Sequence, residues 1–571
     1  MKSPVIIEVA ALVMAVLLTL TACSQAAPAP VPAPVPAPAP APSPSPAPAP
    51  APKPTPAPAP SGPYGELRLV TPSLGNERLY PPIADQSFSN NMAPMYDFLV
   101  GLEKGEFTPT GIAEKWEMAA DGLSWTFYLR KGVKFHNGTG LTAADVKFSI
   151  DRQTAPEGVS STMRIAVDRT EVLDDYTLRV YTKGKLPFFL WNLTLGSPGR
   201  GMVMPKDYIE KNGVPFFERQ PIGSGPFKFV RQVAGDVMEY EALDKHWRQV
   251  PAFKKLTLIV MPEETTRVAS LKTGAVDVAE IGLESVIDLE GAGFQSAVID
   301  NVTPLIMFLG TYDDPRAAGM PTTNLKVRQA LSLAIDRVTI GKTMFYGKLG
   351  PPMPPMLGVQ ATDIDVPYWQ DYCTKLYRYD PVEAKRLLKE AGYPDGFAFK
   401  IYTWSDSGRT FLPKMAEVVA SYWLKIGVKA EVNQIESGVW TTWRRGPAPA
   451  GVKGPNTPFV GQACTWARIG SSQTQSLLAG FHSRSSQIFY FGNGIPELDR
   501  AIEVVESEIN ESKRREAAVK AINIITDSYV AFGIGELPSY VAIAPRVDWT
   551  FPTPLAFPTP ASYAELARHG K

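Results

Sequence analysis

Cysteine and histidine are both scarce in this chain, with three of one and four of the other in 571 residues. Cys23 belongs to the leading segment, which leaves Cys373 and Cys464 for the body and excludes a disulfide scaffold. Whether those two bridge stays open, because separation along the chain says nothing of proximity. The histidines, His136, His246, His482 and His569, are scattered singly, and none sits in the His-Glu pattern of a zinc hydrolase. A Gly-x-Ser-x-Gly nucleophile elbow is missing as well. Gly341-Lys342-Thr343 imitates the end of a phosphate-binding loop, but Asp336 stands where the first glycine is required. Gly223-Ser224-Gly225-Pro226 reads as a tight turn. Asp145 and Asp151 lie on or near a helix begun at Thr142, where acids cap and solvate. No catalytic residue, metal ligand or cofactor site emerges, so an enzyme is not expected. Charge of one sign is also lacking. Lys plus Arg and Asp plus Glu balance at 57 each, which removes the basic field that a nucleic-acid partner would need.

What the chain does have is an unusual start. Lys2 gives a weak positive region, Val9 to Leu20 an apolar stretch interrupted upstream only by Glu8, and Thr21-Ala22 small residues for a signal peptidase. That apolar stretch falls short of the roughly 20 residues that span a bilayer, so a cleaved signal over residues 1–23 fits better than a retained helix. Leu20-Thr21-Ala22-Cys23 resembles a bacterial lipobox, which implies that Cys23 carries a lipid and anchors the chain at the outer face of the cytoplasmic membrane. Residues 24–63 form a Pro/Ala-rich linker in which proline takes every second position from Ala27 to Pro60. Such a tract can neither continue a helix nor pair as a central strand. As polyproline II, at about 3.1 Å per residue, it would reach roughly 100 Å.

From Tyr64 onward helices and strands alternate irregularly, which predicts an α/β architecture. Asp380-Pro381-Val382-Glu383 reads as N-cap, first-turn proline and N3 acid, with Gly392 as the stop. Leu498, Ile502, Val505 and Ile509, then Ala518, Ile522, Ile525 and Tyr529, repeat at helical spacing and predict a helical hairpin. Trp125, Phe127 and Leu129 alternate with polar residues as one face of a strand. Gly446 to Pro458 forms a Pro/Gly-rich loop between Trp440/Trp443 and Trp466, beside a tryptophan-rich patch.

A collinear series of short motifs runs through the body. It includes Tyr96-Asp97-Phe98-Leu99-Val100, Asp121-Gly122-Leu123-Ser124-Trp125-Thr126-Phe127, and Leu129 to Gly138 with Leu141-Thr142-Ala143-Ala144-Asp145-Val146. Pro221 to Phe227, Gly274-Ala275-Val276-Asp277-Val278, Val327 to Leu331 with Ala334-Ile335-Asp336-Arg337, and Tyr379 to Tyr393 complete it. In this order and spacing the series resembles the family 5 extracytoplasmic solute-binding proteins of dipeptide, oligopeptide and nickel ABC importers. The resemblance implies a two-lobed fold of periplasmic-binding-protein type II, with solute enclosed between hinged lobes. It places lobe I in residues 64–91, 196–300 and 533–571, an inserted subdomain in 92–195, and lobe II in 301–532. It also implies a monomer that hands a small solute, peptide or peptide-like, to a permease with its ATPase subunits. A receptor for a sugar conjugate or metal chelate, a chemosensory receptor without transport, and a hydrolase acting in the cleft are the competing readings.

In peptide-binding relatives a Gly-Trp-x-x-Asp segment lines the cleft, its aspartate neutralising the ligand's α-amino group. Gln462 to Ile469 corresponds to it here: Trp466 keeps the tryptophan, while Ile469 takes the aspartate's place with Arg468 beside it. An apolar residue cannot replace the charge-assisted hydrogen bonds that an ammonium loses on desolvation. A free-amine di- or tripeptide is therefore not expected, its tight binding requiring another acid such as Asp406 at the anchor, and Arg468 is the candidate partner for a ligand carboxylate, with a surface salt bridge as its competing role. Trp440, Trp404 and Thr465 complete the candidate binding residues, with core packing as the competing role for each tryptophan.

Overall fold

The computed structural model describes residues 62–570 apart from 104, 159, 198, 311–313, 360–363, 405–408, 410, 437–438, 441–442, 444–457, 470–476, 478–479, 484–493 and 551–558. The side chains at 86, 87, 161, 300, 468 and 469 lie outside that set too. Cys23 and the proline tract, and with them the lipid and spacer readings, lie outside the described residues.

A sheet of 11 strands runs through the body. In chain order its strands are β1 (Glu66–Thr71), β2 (Phe227–Val233), β3 (Val237–Ala242), β4 (Lys255–Val260), β5 (Val278–Ile281) and β6 (Gln295–Phe308). The remaining five are β7 (Ala398–Thr403), β8 (Lys429–Gln434), β9 (Ala463–Ile469), β10 (Ala531–Gly533) and β11 (Leu537–Ile543). Side by side they run β8-β7-β9-β6-β11-β5-β1-β4-β3-β2, with β10 also paired to β6.

The strand β6 belongs to both halves of this sheet. From Gln295 to Val302 it pairs antiparallel with β11, and from Val302 to Phe308 with β9. A register shift between Val298 and Asp300 disturbs the ladder just before the partner changes. The returning chain crosses beside it: β10 places Gly533 opposite Leu305, and β11 places Leu537 opposite Val302. Residues 534–536 are thus the second crossing between the halves.

Apolar side chains gather on either side of these crossings. One large core draws all its buried members from Val302 to Leu537. Around β1 the alternation of the strand feeds two faces: Leu67 and Leu69 pack with Phe88, Tyr240 and Val541, whereas Val70 packs with Leu271, Val286 and Ala542. A separate four-stranded antiparallel sheet, Ala113–Met118, Ser124–Leu129, Thr177–Thr182 and Val167–Asp174, has its own core around Phe127, Val146 and Leu178.

Local expectations meet the structure in detail. The Asp380 side chain accepts from the Glu383 N–H at 3.0 Å, starting the helix Pro381–Glu390, and Gly392 leaves it at φ 91°. The helices Pro496–Ser507 and Glu511–Ser528 form the hairpin. Lys342 and Thr343 lie inside the helix Arg337–Thr343, so no phosphate loop exists there. Asp145 is a capping residue that also accepts from the Lys206 N–H at 2.9 Å. The open question of a bridge closes: Cys373 and Cys464 are both free and buried, and burial pushes both thiols well above their ordinary range.

Candidate functional site

The three tryptophans singled out by sequence come together. Along β9 and β6 directly opposed residues share a face, so Trp466 lies with Leu305, and Thr303 with the Arg468 position, on the same side of the sheet. On β7, Tyr402 is in register with Cys464, which puts Trp404, the next residue of that parity, beside Trp466. Trp440, from the segment between β8 and β9, stacks on Trp404 with centroids 3.9 Å apart and planes 15° apart. Its edge approaches Trp466 at 6.3 Å, and Phe459 lies at 5.0 Å. The exposures are 1 % for Trp404, 3 % for Trp440 and 4 % for Trp466, so in this conformation the indoles pack on one another as part of the core.

Thr465 is placed differently from the expectation. As the neighbour of Trp466 on a strand it points to the other face, fully buried, and its hydroxyl donates to Thr403 Oγ1 at 2.8 Å. That face carries Phe308 and Phe399 against Trp423, whose indole N–H donates to the Leu331 carbonyl at 2.8 Å. Thr465 is therefore a strand-to-strand tie on the helix-covered side, away from the indoles. Arg468 and Ile469 sit opposite Thr303 and Val302 in the ladder; their side chains lie outside the described residues.

A group that the sequence reading passed over lies at the second crossing. Glu536 is 3 % exposed, and its carboxyl takes a hydrogen bond from the Thr303 hydroxyl at 2.6 Å and a long one from the Val359 N–H at 3.4 Å. Its backbone exchanges hydrogen bonds with Gly350 at 2.8 and 3.2 Å. Burial pushes the Glu536 carboxyl up to about 8, against the opposing pull of the Thr303 and Val359 donors. The visible signal is an acid inside the apolar run Val530 to Leu537, preceded by Gly533 and Gly535. A Cβ on Gly535 would meet Leu349 Cγ at 2.5 Å and the Gly350 carbonyl at 2.6 Å, so only glycine lets these segments touch.

Two other charged residues of the motif series prove to be framework. Arg337 donates to the carbonyls of Gly533, Ser332 and Tyr377 at 2.9, 3.0 and 2.7 Å, pinning β10 to two helices; burial pulls its guanidinium down to about 10. Asp97 accepts from Trp247 Nε1 at 2.8 Å and Arg248 Nη2 at 3.1 Å, with His246 Nε2 at 3.4 Å. Burial alone would raise the Asp97 carboxyl, yet His246, Arg248 and Trp247 together hold it below the usual carboxylate range. Among the described residues no group of three or more metal-ligating side chains occurs.

Separately packed cores on either side of two adjacent chain crossings are what a two-lobed receptor requires. The sequence pattern of the bacterial extracellular solute-binding proteins, family 5 (middle region), matches residues 109–461. The chain belongs to family 5 of the bacterial extracellular solute-binding proteins. It is 30% identical over 367 residues to the glutathione-binding protein GsiB of Pectobacterium atrosepticum, covering 63% of this chain and 67% of that one. It is 29% identical over 515 residues to heme-binding protein A of Haemophilus influenzae, covering 83% and 87%. Among solved structures, HbpA2 of Haemophilus parasuis superimposes with a TM-score of 0.72 at 23% identity, over 89% of this chain and 100% of that one. The peptide-bound DppA of Helicobacter pylori gives 0.68 at 22% identity, over 89% and 99%. The fold is the two-lobed type II periplasmic-binding-protein fold. Family 5 proteins are extracytoplasmic substrate-binding components of ABC importers that carry solutes to a permease and are not enzymes. No helix among the described residues is long and apolar enough to cross a membrane.

Proposed function

We propose that this family 5 receptor is tethered through a lipid on Cys23 and captures a peptide-like, carboxylate-bearing solute between lobes that close about β6 and the 534–536 link. The observation that carries the reading is that β6 pairs with β11 from Gln295 to Val302 and gains β9 on its other side from Val302 to Phe308, which makes one strand and its neighbour the connection between separately packed cores. In this reading lobe I comprises residues 64–91, 196–300 and 533–571, the insert 92–195, and lobe II 301–532. The boundary at residue 301 falls within three residues of the register shift between Val298 and Asp300. The buried stack of Trp404 and Trp440, with Trp466 against it, supplies a broad apolar wall of the kind solute pockets use. Arg468, one residue from the position where peptide-binding relatives keep an acid, reads the solute's carboxylate as a bidentate donor. Glutathione and heme, for which two matched relatives are named, both carry carboxylates, which favours this chemistry. The protein works as a monomer beside its permease and ATPase subunits.

Mass spectrometry of the small molecule that co-purifies with residues 64–571 tests the reading. A peptide or peptide-like acid is the expected result. A neutral sugar conjugate or a metal chelate lacking carboxylate would replace it. Membrane fractionation tests the tether, since Cys23→Ser should move the protein into the soluble fraction.

A further inference from the structure

The crossing holds a carboxyl group that the proposed site has not used. Glu536 lies in the second link between the halves, and among the described residues its side-chain partners are the Thr303 hydroxyl at 2.6 Å and the distant Val359 N–H at 3.4 Å. A carboxylate offers about four acceptor sites, so a single short bond from a neutral donor leaves it under-satisfied. Once ionised, Glu536 would need a charged partner, since buried charges in proteins are paired. Among the described residues no cation reaches Glu536. Arg337, which bonds the Gly533 carbonyl of β10, spends its other donors on Ser332, Ile335 and Tyr377. Cys373, which feels the Glu536 charge, is a neutral buried thiol.

The position of this carboxyl is informative. Thr303 stands on the same face of β6 as Leu305, the register partner of Trp466, so the carboxyl bonded to Thr303 lies on the tryptophan side of the sheet. The wall beside it is residues 352–358, buried throughout and without regular structure, in which Met356 adopts φ 71°. Left-handed backbone at a non-glycine residue is strain of the kind that collects at ligand clamps. Thr303 thus brings the acid of the crossing onto the face of the sheet that carries Trp466.

We infer that Glu536 is the acid that receives a primary ammonium of the solute, in place of the acid that is missing at Ile469. The inference rests on the peptide-like solute proposed above and extends it: the solute carries an amine as well as a carboxylate, and the amine is read from the crossing and not from β9. Binding then has a proton balance. A protonated Glu536 gives its proton to the solvent as the ammonium arrives, and the carboxylate and ammonium form the pair; the Thr303 hydroxyl remains a donor to the same carboxylate.

Calorimetric titration of the full chain at pH 7 with trialanine and with N-acetyl-trialanine, in two buffers of different ionisation enthalpy, tests this. The expected result is at least tenfold tighter binding of the free amine, with net proton release that the acetylated peptide does not show. Glu536→Gln should erase the difference between the two peptides while leaving the weaker affinity in place. Equal binding of both peptides by the wild-type chain, or binding of trialanine without proton release, would overturn the assignment even if the variant does not fold. Binding of neither peptide would sink the peptide-receptor reading and this inference with it, whereas equal binding sinks the inference alone.

Discussion

Two buried acids, Asp97 and Glu536, sit at the two junctions of this molecule and face opposite surroundings. Asp97, between Tyr96 of one core and Leu99 of another, is surrounded by Trp247, Arg248 and His246, which hold its carboxyl below the usual range. Glu536, in the link between β10 and β11, meets a hydroxyl and a peptide N–H, and burial pushes it up to about 8. A fully partnered acid locks its junction in one charge state. An under-partnered acid leaves its junction open to a cation from outside. The comparison separates a weld from a hinge by counting what each carboxylate can bond to.

The largest effect is expected at the weld. Asp97→Ala should cost about 3–5 kcal/mol in denaturant unfolding, because it removes two hydrogen bonds to a buried carboxylate, from Trp247 Nε1 and Arg248 Nη2, at about 1.5–3 kcal/mol each. An effect comparable to a surface substitution would dissolve the comparison. At the proposed carboxylate reader, Arg468→Ala should weaken the co-purifying solute by about 1–3 kcal/mol in calorimetry, the scale of a lost charge-assisted hydrogen bond. An unchanged affinity would move Arg468 out of the site.

The pH dependence sharpens the contrast. Between an unfolded value of 4.5 and a folded value of about 8, the folded chain keeps the Glu536 proton that the unfolded chain has released. The Glu536 contribution to stability therefore falls as pH rises through this window, and Glu536→Gln should remove that slope from melting curves. His136 runs the other way. Burial pulls it down to about 4 from 6.5, so the unfolded chain binds the extra proton and stability is lost as pH falls below 6.5. His136→Asn should flatten the acid limb. The smallest effect belongs to the linker: deleting residues 28–60 should leave the melting transition of the body nearly unchanged, since a polyproline tract buries no core. A large shift would mean that it docks.

Much of this was legible in residue order. The Asp380 cap, the helical hairpin and the strand Ser124–Leu129 are written in local spacing, and local spacing decided them. The tryptophans were legible as a group. Thr465 was misplaced beside them, although strand alternation alone sends neighbours 465 and 466 to opposite faces. Glu536 could not be read in advance. Its meaning comes from Thr303, 233 positions away, and from a partner change along β6 that no local pattern announces. The setting of Asp97 was hidden for the same reason: its motif is local, while Arg248, itself held by Glu565, reaches it from a distant part of the chain.

Solution scattering on residues 64–571, with and without the solute released from the purified protein, tests the central claim most directly. Lobes that close about β6 and the 534–536 link should give a smaller radius of gyration on binding. Saturating solute at a hundredfold excess over Kd should also add about 2.7 kcal/mol of linkage to the melting transition. Stabilisation with no change in radius of gyration would contradict hinge closure.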